Sequence, residues 1–160
     1  MKKLLIVSDM QNGILNTLPE KRVNSVVASI AATIQVWCND ILYTIDASDP
    51  HIDERFCTPI DLLYNEKYDT ILRKRNTIGS YRLIWHLREE QYNDILIVGA
   101  ETNRAIVTTA LMIKCALPKA TVRVDISKCI GSSQKEEEST VDILKSCGVI
   151  VEGEKIKCQT

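Results

Sequence analysis

The sequence predicts a three-layer α/β/α fold, with a mainly parallel sheet of about six strands between two layers of helices. Short apolar runs alternate along the chain with segments in which apolar residues recur every three or four positions. The run from Ile95 to Val98 is continuous, as in a strand covered on both faces, and Gly99 ends it. Strands that alternate with helices favour right-handed crossovers and a parallel sheet. No linker or repeat interrupts the pattern, so we expect one domain over residues 1–160.

Each expected strand is an apolar or alternating run that a polar or turn-forming residue ends. We place the strands at residues 3–8, 41–45, 70–73, 95–98, 121–126 and 149–151. The third run is short and is expected at an edge of the sheet. Residues 47–68, between the second and third strands, contain two prolines and several charges. They predict a long loop with a short helical turn at 60–64, and loops of that length are usually functional.

The expected helices lie between these strands and begin at recognisable start signals. We place the starts at residues 19–20, 79–80, 102–103 and 133–136. A proline or a short polar side chain stands at each start, where it suits the first turn or can accept a hydrogen bond from a free amide. The last signal is a capping box, Ser133 with Glu136, and its helix is expected to end near Gly148.

Composition limits the classes of partner. The 20 basic and 21 acidic residues leave a net charge of −1 and are interspersed, so no basic face for nucleic acid is expected. No window is apolar and long enough for a membrane span. The six cysteines lack paired metal-binding spacing and are expected as free thiols of a cytoplasmic protein. The remaining partners are a small molecule or another subunit.

Three features are expected at the carboxyl edge of the sheet, where ligands bind in open α/β folds. They are Asp9 after the first strand, Lys74 after the third, and the turn from Gly99 to Ala105 after the fourth. A carboxylate, an ammonium and a helix N-terminus form a framework that can activate a cysteine and stabilise an oxyanion. Taken alone, Asp9 is typical of a turn residue, and Lys74 is typical of a charged run exposed to solvent. Because both are expected at the same edge of the sheet, we favour a functional site.

The motifs that carry this framework resemble those of a known superfamily. They are residues 5–13, Lys74 with residues 79–81, residues 98–110 and residues 122–125. In this order they resemble the isochorismatase-like cysteine hydrolases, closest to the nicotinamidase-like branch. The resemblance covers almost the whole chain and implies the isochorismatase-like hydrolase fold, a small-molecule substrate and a homo-oligomer. We expect no cofactor.

The resemblance also implies roles for single residues. Asp9 matches the catalytic aspartate, Lys74 the catalytic lysine and Ala105 the nucleophilic cysteine. The bond between Ala100 and Glu101 matches a non-proline cis peptide bond, and the amides of Glu101 and Ala105 would form the oxyanion hole. An alanine methyl group cannot attack a carbonyl carbon, so the chain as written should not perform covalent amidase chemistry.

The expected substrate contacts come from the loop and from four further positions. We place them at residues 47–68 and at Gln11, Ile14, Tyr81 and Ala100. Pocket shape, and with it the identity of the substrate, does not follow from these residues.

A metal site is not expected. Metal-binding nicotinamidases carry an aspartate and histidines after the second strand, whereas here Asp46 is followed by Ser48 at the first histidine's place. Asp49 and His51 repeat the spacing three residues later, but a single histidine in a loop makes a poor site. Asp46, Asp49 and His51 are therefore weak metal candidates.

Three functions remain open. In the first, which the intact Asp9 and Lys74 favour, the protein is a small-amide hydrolase of the nicotinamidase type, and Ala105 marks an inactivated variant. In the second, it is a natural non-catalytic binding protein, a sensor or sink for a nicotinamide-like or nucleotide-like ligand. In the third, Asp9 is the general acid of an isochorismatase-type vinyl-ether hydrolase, which requires no nucleophile.

Overall fold

The computed structural model describes residues 2–47, 54–57, 59–60, 63, 70–74 and 80–153. Within these residues the strands are Lys3–Ser8 (β1), Asp40–Asp46 (β2), Thr70–Lys74 (β3), Asp94–Ala100 (β4), Thr121–Ile130 (β5) and Ile150–Glu152 (β6). The α-helices are Asn12–Leu15 (α1), Glu20–Val36 (α2), Tyr81–Glu89 (α3), Val107–Ala116 (α4) and Gln134–Ser146 (α5). A 3₁₀ turn spans Glu54–Cys57, and a π-helical turn, called here the π turn, spans Thr102–Ile106.

The six strands form one sheet in the order β3-β2-β1-β4-β5-β6, and every neighbouring pair is parallel. The predicted α/β/α architecture is confirmed, and β3 is an edge strand as expected. The chain adds β2 and β3 on one side of β1 and then continues with β4 on the other side. The strand order therefore reverses between β1 and β4, and such a switch point opens a crevice beyond the carboxyl ends of the strands.

The two faces of the sheet are covered by different helices because side chains alternate along each strand. Leu5 and Val7 of β1 face the cluster that contains the buried side of α2. Leu4 and Ile6 face the opposite cluster, to which α3, α4 and α5 contribute. These helices contribute Leu83, Ile84, Leu87, Ala110, Ile113 and Leu144. The sheet is thus buried on both sides, as the continuous apolar runs predicted.

Two expectations about local structure need correction. The strand predicted at 121–126 continues to Ile130, because the pairing of β4 with β5 shifts between Ile97 and Gly99 and resumes further along β5. Thr102 and Asn103 do not cap the helix after β4, since Glu101 holds the N-cap position and no side-chain cap is formed there. By contrast, Ser133 caps α5 as predicted and accepts a hydrogen bond from the Glu136 amide.

Several predictions concern residues outside the described part of the chain. Most of the loop at 47–68 belongs there, as does Cys158. Of the helical turn predicted at 60–64, only Ile60 and Leu63 are described, and the Leu63 amide donates to the Ile60 carbonyl at 2.8 Å. Cys38, Cys115 and Cys147 are exposed free thiols, as expected. None of the helices in the described residues is long and apolar enough to cross a membrane.

Candidate active site

A buried ion pair between Asp9 and Lys74 lies at the carboxyl edge of the sheet. Asp9 follows β1 and Lys74 ends β3, so the two side chains meet across β2. Lys74 Nζ donates to Asp9 Oδ2 at 2.5 Å, and both side chains are 0% exposed. The alternative that Lys74 belongs to a solvated run of charge is therefore wrong.

The backbone and the second carboxylate oxygen of Asp9 are also held. Its amide donates to the carbonyl of Thr44, and its Oδ1 accepts a hydrogen bond from Thr44 Oγ1 at 3.0 Å. Asp9 has φ of 51°, in the left-handed region that non-glycine residues rarely adopt. Such conformations persist where the surrounding structure fixes them, and they concentrate at functional sites.

Burial controls the acidity of Asp9. Removal from water raises the pKa of the Asp9 carboxyl above its ordinary value, and the negative charge of Asp46 adds to this rise. The Lys74 ammonium and the Thr44 hydroxyl act in the opposite direction but do not cancel it. Asp9 therefore holds a proton more readily than an exposed aspartate does.

The end of β4 lies against the end of β1. Ser8 pairs with Gly99 on one side and with Thr44 on the other, so Asp9 leaves β1 at the level of Gly99, shortly before the π turn begins at Thr102. Gly99 has φ of 124°, and a Cβ atom at this position would overlap the backbone of Ser8. Only glycine allows the two strands to approach this closely while the chain turns toward Ala105.

Ala105 lies within the π turn and is fully buried. The carbonyl of Glu101 accepts hydrogen bonds from the amides of Arg104 at 3.1 Å and Ile106 at 3.2 Å, which widens this turn relative to an α-helix. Single π-helical turns occur mostly inside or beside α-helices and are frequent at functional sites. The two amides predicted as the oxyanion hole, those of Glu101 and Ala105, are not the ones that bind this carbonyl.

The expected cis bond between Ala100 and Glu101 is wrong, since no peptide bond among the described residues is cis. A trans bond is the favoured form for a non-proline residue. The change in chain direction is made by the backbone angle of Gly99 instead.

The side chains of the two residues expected to cap this helix have other surroundings. The hydroxyl of Thr102 is buried and has no hydrogen-bond partner within the described residues. Asn103 Oδ1 accepts a hydrogen bond from Ser132 Oγ at 3.5 Å, in the loop before α5.

Gln11, expected to contact substrate, clamps backbone segments together. Its Nε2 donates to the carbonyls of Asp46 at 2.9 Å and Phe56 at 3.2 Å, and its Oε1 accepts from the Asp46 amide at 2.7 Å. The side chain is buried, so it fixes the end of β2 and the 3₁₀ turn relative to the site.

The other predicted contact and metal residues are dispersed. Ala100 is buried at the end of β4, Ile14 is half-buried on the α2 side, and Tyr81 is 81% exposed at the start of α3. Asp49 and His51 lie outside the described residues. Where the chain is described, no three histidine, cysteine, aspartate or glutamate side chains gather as around a metal ion.

Sequence reasoning did not find Thr44 and Ser8, whose hydroxyls extend from the Asp9 carboxylate. Thr44 Oγ1 is 3.3 Å from Ser8 Oγ, and both side chains are buried. The available signal in the sequence was a polar residue at the end of the apolar strand β1, Ser8, and another within the next strand β2, Thr44. That signal becomes informative only when the pairing of β1 with β2 is known.

The fold is that of the isochorismatase-like hydrolases. No protein-family model matches the chain, and a search of curated proteins found no match. Among solved structures, an isochorismatase-like hydrolase from Alkaliphilus metalliredigens superposes with a TM-score of 0.79 and 16% identity, covering 95% of this chain and 92% of that one.

Two further structures of this fold have named ligands or activities. PnC1 from L. infantum in complex with nicotinate gives a TM-score of 0.80 at 14% identity, covering 95% of this chain and 92% of that one. N-carbamoylsarcosine amidase from Thermoplasma acidophilum gives 0.76 at 18% identity, covering 98% and 99%. At these identities the likeness shows the fold.

Proposed function

We propose that this chain binds a small amide of the nicotinamide type beside Asp9 and carries the acid–base half of an amide hydrolase site. The observation that carries the proposal is the Asp9–Lys74 pair, which is fully buried at the switch point. Burying two charges is expensive, and an apolar pair of similar volume is often as stable. A buried pair with a perturbed carboxyl, located where ligands enter this fold, therefore supports a functional role.

The proposed roles follow from the chemistry of each group. Asp9 would take the proton of a nucleophile and return it to the leaving amine, while Lys74 holds the carboxyl in place. The amides of Glu101 and Ala105 would stabilise the oxyanion. Because position 105 is an alanine, the bound amide is not attacked, and the chain as written holds its ligand unchanged.

Fold relatives support the ligand class, since one structure contains nicotinate and another is an amidase. The test is Ala105→Cys, which supplies the missing sulfur in the same turn. We expect ammonia release from nicotinamide or pyrazinamide by Ala105→Cys and none by the unaltered chain. Ala110→Cys is the matched control and should stay inactive, because Ala110 is equally buried but lies in α4, beyond the π turn.

Two results would contradict this proposal. One is a folded Ala105→Cys variant that releases no ammonia from any small amide. The other is activity that persists in the Asp9→Asn, Ala105→Cys double variant. For the unaltered chain, calorimetry should show nicotinamide binding, with the ligand recovered intact.

A second candidate function is supported by the acidity of Asp9. A carboxyl whose pKa burial raises is suited to donate a proton, and an isochorismatase-type vinyl-ether hydrolysis needs a general acid but no nucleophile. Incubation with isochorismate and product analysis tests this function, with Asp9→Asn as the control. Recovery of unchanged isochorismate would exclude it.

The proposal includes one domain that assembles into a homo-oligomer in the cytoplasm. Sedimentation should then give a multiple of the 18.0 kDa chain mass, and unfolding should occur in one cooperative transition.

A further inference from the structure

Three buried side-chain groups, Ser8, Thr44 and Asp9, form a row of oxygen atoms behind the candidate site. Thr44 Oγ1 lies 3.0 Å from Asp9 Oδ1 and 3.3 Å from Ser8 Oγ. Asp9 and Ser8 are 0% exposed and Thr44 is 1% exposed. The other carboxylate oxygen, Oδ2, accepts from Lys74 Nζ at 2.5 Å. Each oxygen of Asp9 therefore has its own partner.

The two partners differ in what they can accept. A lysine ammonium has donors only, so a proton on Oδ2 would point at a group that cannot receive a hydrogen bond. A threonine hydroxyl both donates and accepts, and its hydrogen rotates freely between partners. A proton that binds to Asp9 is accordingly accommodated on Oδ1, next to Thr44.

We propose that Thr44 and Ser8 form a hydroxyl switch, which lets Asp9 bind and release a proton at Oδ1 while Oδ2 stays on Lys74. When the carboxylate is charged, the Thr44 hydroxyl donates to Oδ1. When Oδ1 carries the proton, Asp9 donates to Thr44 Oγ1, and the Thr44 hydrogen turns to Ser8 Oγ. The O–H bond on Oδ1 forms with a proton taken from water during titration, or from a nucleophile at position 105 during turnover, and it breaks when that proton is returned to water or to the leaving amine. No heavy atom of Asp9, Thr44 or Ser8 has to move.

The electrostatic surroundings of Asp9 agree with this arrangement. Among the described residues, the charged groups that act on it are Lys74 from β3 and Asp46 at the end of β2, and the hydroxyl that bonds it comes from β2. Burial raises the pKa of Asp9 and Asp46 adds to the rise, whereas Lys74 and the Thr44 hydrogen bond lower it. The net effect is a raised pKa, which favours the protonated state more than in an exposed aspartate.

The switch makes Thr44 and Ser8 positioning residues with opposite effects on Asp9. Thr44→Val keeps the shape but removes the donor to the charged carboxylate, and bonds to charged groups are the stronger ones. The pKa of Asp9 should therefore rise in Thr44→Val. Ser8→Ala removes the acceptor that the Thr44 hydrogen uses only when Asp9 is protonated, so the pKa should fall. Thr44→Ser keeps the hydroxyl and should restore the parent value.

The experiment is a pH titration of the Asp9 carboxyl carbon by NMR on the full chain, with the signal assigned by its absence in Asp9→Asn. Opposite shifts in Thr44→Val and Ser8→Ala, with Thr44→Ser close to the parent, are the expected result. Shifts in the same direction, no shift in Ser8→Ala, or no rescue by Thr44→Ser would overturn the switch. If Thr44→Val fails to fold, Ser8→Ala and Thr44→Ser still decide the question.

The inference rests on the proposed function only where it assigns the Asp9 proton to amide hydrolysis. The titration needs no turnover, so it is informative in the chain as written. An inactive Ala105→Cys variant would contradict the amidase proposal and leave the switch standing. Uniform shifts would contradict the switch and leave the amidase proposal standing.

Discussion

Two aspartates at opposite ends of the sheet, Asp9 and Asp94, each pair with a cation, and the two pairs are built differently. Asp94 begins β4, and its Oδ1 accepts from Arg123 Nε and Nη2 at 2.9 Å. The side chains of this pair are 9% and 21% exposed, whereas those of Asp9 and Lys74 are 0% exposed. Arg123 also reaches Glu152 at 3.4 Å, which joins β4, β5 and β6.

The Asp94–Arg123 pair joins neighbouring strands and so has an evident structural role. The Asp9–Lys74 pair is fully buried, and the packing of the sheet alone does not explain why two charges lie there. At the amino edge, a partly exposed planar guanidinium bridges neighbouring strands and keeps some contact with water, so its pair with the largely buried Asp94 loses less hydration than a fully buried pair does. At the carboxyl edge, a compact ammonium lies where neither side chain is exposed to solvent. Desolvation of the two charges is costly there, and each charge is stabilised mainly by the other. The second arrangement is weak evidence for stability and stronger evidence for a site.

The largest effect is expected when Lys74 is replaced by Met, which leaves Asp9 buried without its cation. Breaking one side of a buried pair lowers the free energy of unfolding by about 3–5 kcal/mol. Urea denaturation at pH 7 measures this loss. It should shrink at low pH, where Asp9 takes up a proton, and in the Asp9→Asn, Lys74→Met double variant, which has no buried charge. A loss in the free energy of unfolding below about 1 kcal/mol, the range of solvent-exposed ion pairs, would mean that water reaches Asp9 and Lys74.

The next effect concerns pH. Because the pKa of Asp9 is raised in the folded chain, the folded state binds more protons than the unfolded state above the ordinary value of 3.8. Relative to Asp9→Asn, the parent should lose stability as the pH rises from 3.8 through the folded pKa. Urea denaturation of both proteins across this range measures the difference. A parent that gains stability over the same range would show that the carboxyl is held charged.

Asp125 in β5 supplies a control of opposite sign. Burial acts to raise its pKa, but hydrogen bonds from Lys128 and Ser127 outweigh burial and lower it. Its contribution to stability should be complete above 3.8 and be lost as the pH falls through the folded pKa. Asp125→Asn should therefore lack that loss at acid pH.

Much of the fold and part of the site could be predicted because the signals are local. The period of the apolar residues specifies strand or helix, and the alternation of elements implies a parallel sheet. Asp9 and Lys74 could be placed together because carboxyl ends of parallel strands share an edge. Their mutual contact and complete burial could not be derived, since they depend on strand order.

The missed features are those that depend on pairing or on small changes of helical pitch. Thr44 became meaningful only when β2 was placed beside β1, and the backbone clamp by Gln11 requires the 3₁₀ turn to be in position. The π turn has no start signal in the sequence, because it differs from an α-helix by one hydrogen-bond step. Tyr81 was expected at the site from sequence alone and lies on the surface.

The smallest effect is expected at the amino edge. Arg123→Met should lower the free energy of unfolding by about 1 kcal/mol, because the guanidinium is partly exposed and Lys3, 3.8 Å from Asp94, remains as a second cation. Urea denaturation with and without 1 M NaCl, in which the Debye length falls to about 3 Å, separates the two edges. Salt should remove most of the difference in unfolding free energy between Arg123→Met and the parent. It should leave the larger loss in Lys74→Met nearly unchanged, since dissolved ions cannot reach a pair that is closed to solvent. Equal sensitivity of both variants to salt would mean that ions and water reach Asp9 as freely as Asp94, and the contrast between the two edges would be lost.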